Sequence, residues 1–198
     1  KNEDFAISCA LKFTTQSFQY GGTEIVSYST SSGFKVATAA QGYGSSSLDW
    51  SNPSNGYIID GLYATASLNS GAISQSTQLI LFTYGNTIPN SAVIDGAEVK
   101  LTCMAMSSSG NNFVTDTLVS LFDGVVVSGS HESSSIHWGT SSVSTYIFGS
   151  PTSSWGLSLT PSYINSANFG VTVQPIVHAT DNNNAAYIDD VSVIVYYT

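Results

Sequence analysis

The chain has 198 residues and a formal net charge of −9, and only 9% of its residues are charged. All four cations are lysines, Lys1, Lys12, Lys35 and Lys100, and there is no arginine. Nucleic-acid binding and phosphate handling both need clustered cationic side chains, so this composition argues against either function. With 42% hydrophobic and 12% aromatic residues, the chain has enough apolar side chain for a folded core, which excludes a disordered protein.

Alternation of apolar and polar residues, the pattern of a half-buried β-strand, recurs along the whole chain. Its clearest examples are the runs Ile7–Phe13, Val99–Ala105 and Val191–Tyr197. Asp-Gly pairs at 60–61, 95–96 and 123–124 have the chemistry of hairpin turns. Helical spacing is confined to a single turn near residues 161–165. The sequence therefore predicts an all-β fold, an antiparallel, jelly-roll-like β-sandwich with almost no helix.

The composition shifts near residue 45, which divides the chain into two predicted parts. Residues 1–44 hold three of the four lysines, and residues 45–198 are predicted to form the β-sandwich domain. We favour the interpretation of the first part as extra strands on the same core; the alternative is an attachment arm that pairs with a neighbouring molecule. The candidate assembly contacts in this part are Phe5, Ile7, Leu11, Lys12, Phe13 and Lys35.

No pattern in the sequence indicates catalysis, and we predict that the protein is not an enzyme and uses no cofactor. There is no G-x-S-x-G elbow for a nucleophilic serine. Cys9 and Cys103 both lie in apolar alternating runs, which favours free buried thiols over a disulfide bridge. No apolar run approaches the roughly 20 residues that span a bilayer, so we predict no membrane insertion.

Two groups of residues are metal candidates, and for both we favour a purely structural interpretation. His131, Glu132 and His137 are close in sequence, but three serines between them indicate a solvated loop. Hard carboxylate oxygens suit Ca²⁺, and the calcium candidates are Asp181, Asp189 and Asp190. The favoured interpretation assigns Asp181 to a turn and the other two to the polar start of a strand.

Exposed aromatic rings stack on sugar faces, so the three tryptophans and the eleven tyrosines supply the candidates for glycan contact. We interpret Trp50 and Trp155 as packing residues of the core or of a strand edge. Trp138 lies in the loop-like stretch His137-Trp138-Gly139 and is therefore the candidate for an exposed ring and a glycan contact.

Three stretches together resemble a β-sandwich module of tailed-bacteriophage structural proteins and some microbial surface proteins. The first is Trp50–Tyr57 with Asp60–Thr65, and the second is Ile88–Val99. The third consists of five short segments, Trp155–Leu157, Ile164–Asn165, Asn168–Val171, Tyr187–Val191 and Val195–Tyr197. The resemblance covers about residues 45–198. It implies a role as capsid decoration, head fibre, collar or tail component, and it implies no catalytic residues.

The leading hypothesis is therefore a non-enzymatic structural protein on the exterior of a bacteriophage virion. Its expected partners are other virion proteins of the capsid or tail and further copies of itself in a homo-oligomer. A carbohydrate-binding or host-receptor-binding module, with a surface glycan as partner, is the alternative. A second alternative is the subunit of an extracellular filament that exchanges N-terminal strands. The expected location is the virion exterior, or otherwise the extracellular space or cell surface.

Overall fold

The computed structural model describes residues 29–107, 110–124, 136–140 and 142–198. In chain order the strands are β1 (Thr30–Ser31), β2 (Lys35–Val36), β3 (Ala39–Tyr43), β4 (Ala64–Leu68), β5 (Ala72–Gln75), β6 (Gln78–Phe82), β7 (Ile94–Ala105), β8 (Asn112–Phe122), β9 (Ser144–Ser150), β10 (Gly170–Ala179) and β11 (Asn184–Tyr197). They form two antiparallel sheets with one core between them, so the predicted β-sandwich is confirmed.

Helix is as scarce as predicted in these residues. One α-helix of four residues, α1 (Pro161–Ile164), forms at the predicted turn, where the Thr160 hydroxyl accepts from the Tyr163 amide. A 3₁₀ turn at Pro53–Gly56, which the sequence did not predict, follows Asn52 in the left-handed conformation. No helix in the described ranges is long and apolar enough to cross a membrane.

Sheet A has β11 as its central strand. On one side β11 pairs with β7, and β7 pairs with β9. On the other side it pairs in succession with β4, β2 and β1. The register with β7 shifts between Ile188 and Asp190, so Asp189 occupies a bulge.

Sheet B is organised around β10. One edge of β10 pairs with β6 at its start and with β5 at its end. The whole of its other edge pairs with β8, and β3 extends the sheet beyond β6. Inward-facing residues of both sheets form the core, including Val99, Leu101 and Val171. The predicted strand runs Val99–Ala105 and Val191–Tyr197 lie in β7 and β11 as expected from their alternation.

The described part of residues 1–44 joins both sheets. β1 and β2 pair with β11 of sheet A, whereas β3 pairs with β6 of sheet B. Residues 1–28, including the predicted strand run Ile7–Phe13, lie outside the described residues. For that segment, the choice between extra strands and an attachment arm stays a prediction.

Candidate functional site

A row of four side chains crosses the outer face of sheet B, and we call these residues, Ile73, His178, Phe113 and His137, the ring row. His178 faces outward because its neighbours Val177 and Ala179 point into the sandwich. In the strand register, His178 lies opposite Ile73 of β5 on one side and opposite Phe113 of β8 on the other. The segment that carries His137 lies beside β8.

Three rings of the ring row are stacked in parallel. The Phe113 ring centroid is 4.0 Å from that of His137, with 4° between the ring planes, and 3.8 Å from that of His178, with 20°. Neighbouring strands lie about 4.8 Å apart, so rings stacked across them stand upright on the sheet. Both faces of Phe113 are therefore covered by imidazoles, and the stack presents ring edges to solvent.

The ends of the ring row are more accessible to solvent than its middle. Ile73 is 52% exposed at one end, and His137 is exposed at the other. Phe113 and His178, in the middle, are half-buried. The row thus has a solvent-exposed aliphatic side chain at one end and a solvent-exposed imidazole at the other.

Neutral polar groups lie next to the ring row. Ile176 lies two residues before His178 in β10, on the same face of the sheet. It pairs with Gln75 of β5 on one side and with Thr115 of β8 on the other. The exposed Gln75 amide donates from Nε2 to Oγ1 of Thr117 at 2.9 Å, which fixes its orientation. Amides and hydroxyls supply both donors and acceptors without a formal charge.

The electrostatics of sheet B are close to neutral. Its five strands contain no lysine and one carboxylate, Asp116, which is buried. Burial lowers the pKa of His178, and the nearby His137 lowers it further. His178 is therefore held in its uncharged form at neutral pH, able to donate from one ring nitrogen and accept at the other.

Trp138 does not provide the exposed ring that its sequence context predicted. It is 1% exposed, its indole Nε1 lies 3.4 Å from Oδ1 of Asp116, and its backbone amide donates to the Val114 carbonyl at 2.9 Å. The stretch runs beside β8 as an extended segment, so Trp138 points into the core and its neighbour His137 points out. The prediction of an exposed ring at Trp138 is wrong for this reason, and the proposed glycan contact loses the exposed ring on which it depended.

The other two tryptophans pack in the core, as predicted. Trp50 is 7% exposed and donates from Nε1 to the Thr77 carbonyl at 2.8 Å. Trp155 is 1% exposed and donates to the Ala97 carbonyl at 2.9 Å.

The three calcium candidates have separate partners. Oδ2 of Asp181 accepts from the Asn111 amide at 3.1 Å. Oδ1 of Asp189 accepts from the amides of Asp60 and Gly61, both at 3.2 Å. Asp190 forms an ion pair with Lys100 at 3.2 Å. Within the described ranges, no three ligand-type side chains come together at one point.

Several predicted residues lie outside the described part of the chain. They are Phe5, Ile7, Cys9, Leu11, Lys12, Phe13, His131 and Glu132. Lys35 is described and lies in β2 opposite Val193, half-buried at the edge of sheet A. Assembly through Lys35 and the five candidate contact residues between Phe5 and Phe13 stays a prediction. Cys103 is a free, buried cysteine, and burial raises the pKa of its thiol.

The alternation of the sequence carries a signal for the outward orientation of Phe113 and His178. Each is a ring-bearing residue next to a valine that the alternation sends to the core, Val114 for one and Val177 for the other. Their outward orientation follows from that phase. Their proximity depends on the pairing of β8 with β10, which local patterning does not specify.

No family model matches this chain, and no curated protein matches it. Two solved structures with a similar fold are carbohydrate-binding modules. One is TmCBM61 in complex with β-1,4-galactotriose, at 12% identity and a TM-score of 0.37, covering 82% of this chain and 88% of that one. The other is a CBM4 structure, at 12% identity and a TM-score of 0.34, covering 81% and 93%. A likeness of this size does not assign a ligand to this chain.

Proposed function

We propose that this chain is a carbohydrate-binding domain that binds saccharides on the outer face of sheet B. The ring row is the observation that carries this proposal. A sugar presents apolar C–H groups together with neutral hydroxyls, so its site combines apolar and aromatic surface with a few oriented polar groups. Ile73 and the imidazole rings supply the apolar and aromatic surface. The Gln75 amide and the imidazole nitrogens supply the oriented polar groups.

The scaffold supports this assignment because strands hold the ring row in place. Ile73, His178 and Phe113 come from three paired strands whose opposite faces are buried in the core. Sites built on such elements keep their geometry before the ligand arrives, which reduces the entropy lost on binding.

Calorimetric titration of a panel of neutral oligosaccharides tests the proposal. At least one saccharide should bind, and Phe113→Ala should weaken that binding by about tenfold or more, since truncation of an aromatic hot-spot residue costs about 2 kcal/mol or more. His137→Ala should also weaken it. Ile147→Ala is the matched control, because Ile147 is 51% exposed on the outer face of sheet A.

Two results would contradict the proposal: no saccharide binding by the wild-type chain, or binding that both ring-row substitutions leave unchanged. Urea unfolding of each variant separates a lost contact from a lost fold. In this proposal the domain binds without catalysis and is extracellular or at a cell surface, which is the location that the sequence analysis gave as the alternative to the virion exterior.

The second candidate function is the structural role on a virion exterior, and one feature of the fold favours it. Ile58, Ile59 and Leu62 are 50%, 59% and 57% exposed, in a short loop that Asp189 anchors through two backbone amides. A fixed, apolar loop tip suits a contact with another protein, here a capsid or tail protein or a second copy.

Sedimentation velocity provides a direct test of self-contact through this loop. In a self-associating protein, Ile59→Asn should shift the oligomer toward monomer, whereas Val93→Asn, at a separate residue that is 65% exposed, should not. A wild-type chain that stays monomeric at high concentration would rule out self-association through the loop tip.

A further inference from the structure

We infer that the ligand of the ring row is an uncharged oligosaccharide of about three sugar units that lies across the strands of sheet B. This inference rests on the proposed function and specifies the substrate class of the same site. It follows from the length of the row and from the charges around it.

The length of the row sets the length of the ligand. Ring centroids are 4.0 Å apart from His137 to Phe113 and 3.8 Å apart from Phe113 to His178. Ile73 lies one strand further on, so the row extends about 13 Å at a strand spacing of about 4.8 Å. A single pyranose ring is much shorter than this and would leave part of the row uncovered.

The direction of the row sets the direction of the ligand. Its four members come from neighbouring segments in the order β5, β10, β8 and the stretch that contains Trp138. A chain that contacts Ile73 at one end and His137 at the other must run perpendicular to the strands. The Gln75 amide lies alongside this path and can bond to hydroxyls on one side of it.

Among the described residues, the charges around the row disfavour an acidic sugar. A carboxylate or sulfate that leaves water needs a cation or several donors as a partner. The five strands of sheet B contain no lysine or arginine. The two lysines of the described residues are both in sheet A, where Lys100 is held by Asp190 at 3.2 Å and Lys35 is in β2.

The negative net charge of the chain also disfavours an acidic ligand. At −9, the protein repels polyanions at long range and lowers their rate of approach. An amino sugar finds no exposed carboxylate on these strands, because Asp116 is 2% exposed. A neutral ligand is therefore the chemistry that this face accommodates.

Calorimetry with matched oligomers tests the inference. The probes are gluco-, manno- and galacto-oligosaccharides of one to five units, each paired with the corresponding uronic-acid oligomer. We expect one neutral series to bind with an affinity that rises at least about tenfold from one to three units and then levels off. Its uronic-acid counterpart should bind at least about tenfold more weakly, and the Kd of the neutral ligand should change less than about twofold between low and high salt.

A substitution at the end of the row tests the length directly. Ile73→Ser should remove the gain in affinity from the third unit, so that the three-unit ligand binds the variant no more tightly than the two-unit ligand does. Ile147→Ser, at a similarly exposed residue of sheet A, should leave the whole series unchanged. Urea unfolding confirms that both variants remain folded.

Each outcome has a separate meaning. Equal or tighter binding of the uronic-acid series, a strong salt dependence, or full affinity for the monosaccharide would overturn this inference and leave carbohydrate binding itself intact. Failure of every saccharide to bind would overturn both this inference and the proposed function.

Discussion

At the scale of single residues, Gly149 lies where the end of β9 and the start of β7 pack closely against the ring of Trp155. Its φ of +78° is in the left-handed region, and a Cβ there would be 2.5 Å from the Ala97 carbonyl oxygen and 2.8 Å from the Trp155 ring. The backbone at Ala97 also accepts the Trp155 indole N–H, so it has little freedom to move. A side chain at this position is therefore excluded by both conformation and space.

Gly149→Ala should lower the free energy of unfolding by about 2 to 4 kcal/mol, because backbone strain and overpacking add together. Gly61→Ala is the matched control: Gly61 has a φ of +79°, and nothing lies within 4 Å of its would-be Cβ. That variant should lose only about 1 kcal/mol. Urea unfolding measures both values, and equal losses in the two variants would show that the contact with Trp155 contributes nothing.

At the scale of elements, the alternating runs predicted β7 and β11 correctly, because local sequence alone sets which residues of a strand face the core. Val99 and Leu101 face the core, as do Val191 and Val193. The bulge at Asp189 exchanges the inward and outward faces of β11 before Asp190, and no local pattern signals it.

The ring row was not predicted for a related reason: residues 73, 113, 137 and 178 become neighbours only through strand register. The loop-like composition around Trp138 hides the extended segment beside β8 that sends its ring into the core.

The pairing of β7 with β11 encloses an ion pair whose effect on stability depends on pH. Asp190 is 3% exposed and lies 3.2 Å from Lys100, with Ser192 donating to the same carboxylate. Burial raises the pKa of Asp190, and Lys100 partly opposes that rise. Since its folded-state pKa lies above the unfolded value, Asp190 favours the folded state most at low pH. That contribution is lost as the pH rises through the folded-state pKa.

Lys100→Met should therefore destabilise the protein and steepen its pH dependence. Removal of one partner of a buried pair costs about 3 kcal/mol at neutral pH. Without the cation the pKa of Asp190 rises further, so the free energy of unfolding should fall more between about pH 4 and about pH 7 than it does in the wild type. Urea unfolding across this range measures the effect. Lys35→Met is the control, and parallel profiles for Lys100→Met and the wild type would contradict the prediction.

At the scale of the whole molecule, the excess of carboxylates over lysines makes stability sensitive to salt. The net charge of −9 produces self-repulsion that favours expansion, and counterions screen it. The ion pair described above is mostly buried and is therefore weakly screened. Raising the salt concentration should thus remove more repulsion than attraction.

We expect the melting temperature to rise by a few degrees between about 0.01 M and about 0.15 M sodium chloride at neutral pH. Differential scanning calorimetry measures this shift. The same change of salt near pH 4, where many carboxylates are protonated, should have a smaller effect. A melting temperature that falls with salt at neutral pH would mean that attractive surface pairs dominate.

The central position of β11 also governs when the protein can fold. This strand is synthesised after every other described strand, yet β1, β2, β4 and β7 all pair with it. While the chain emerges from a ribosome, those four strands have no partner at the middle of sheet A, and their apolar faces stay open to chaperones and proteases. The pairs that β11 makes can therefore form only after β11 has been synthesised, whereas β7 can pair with β9 before then.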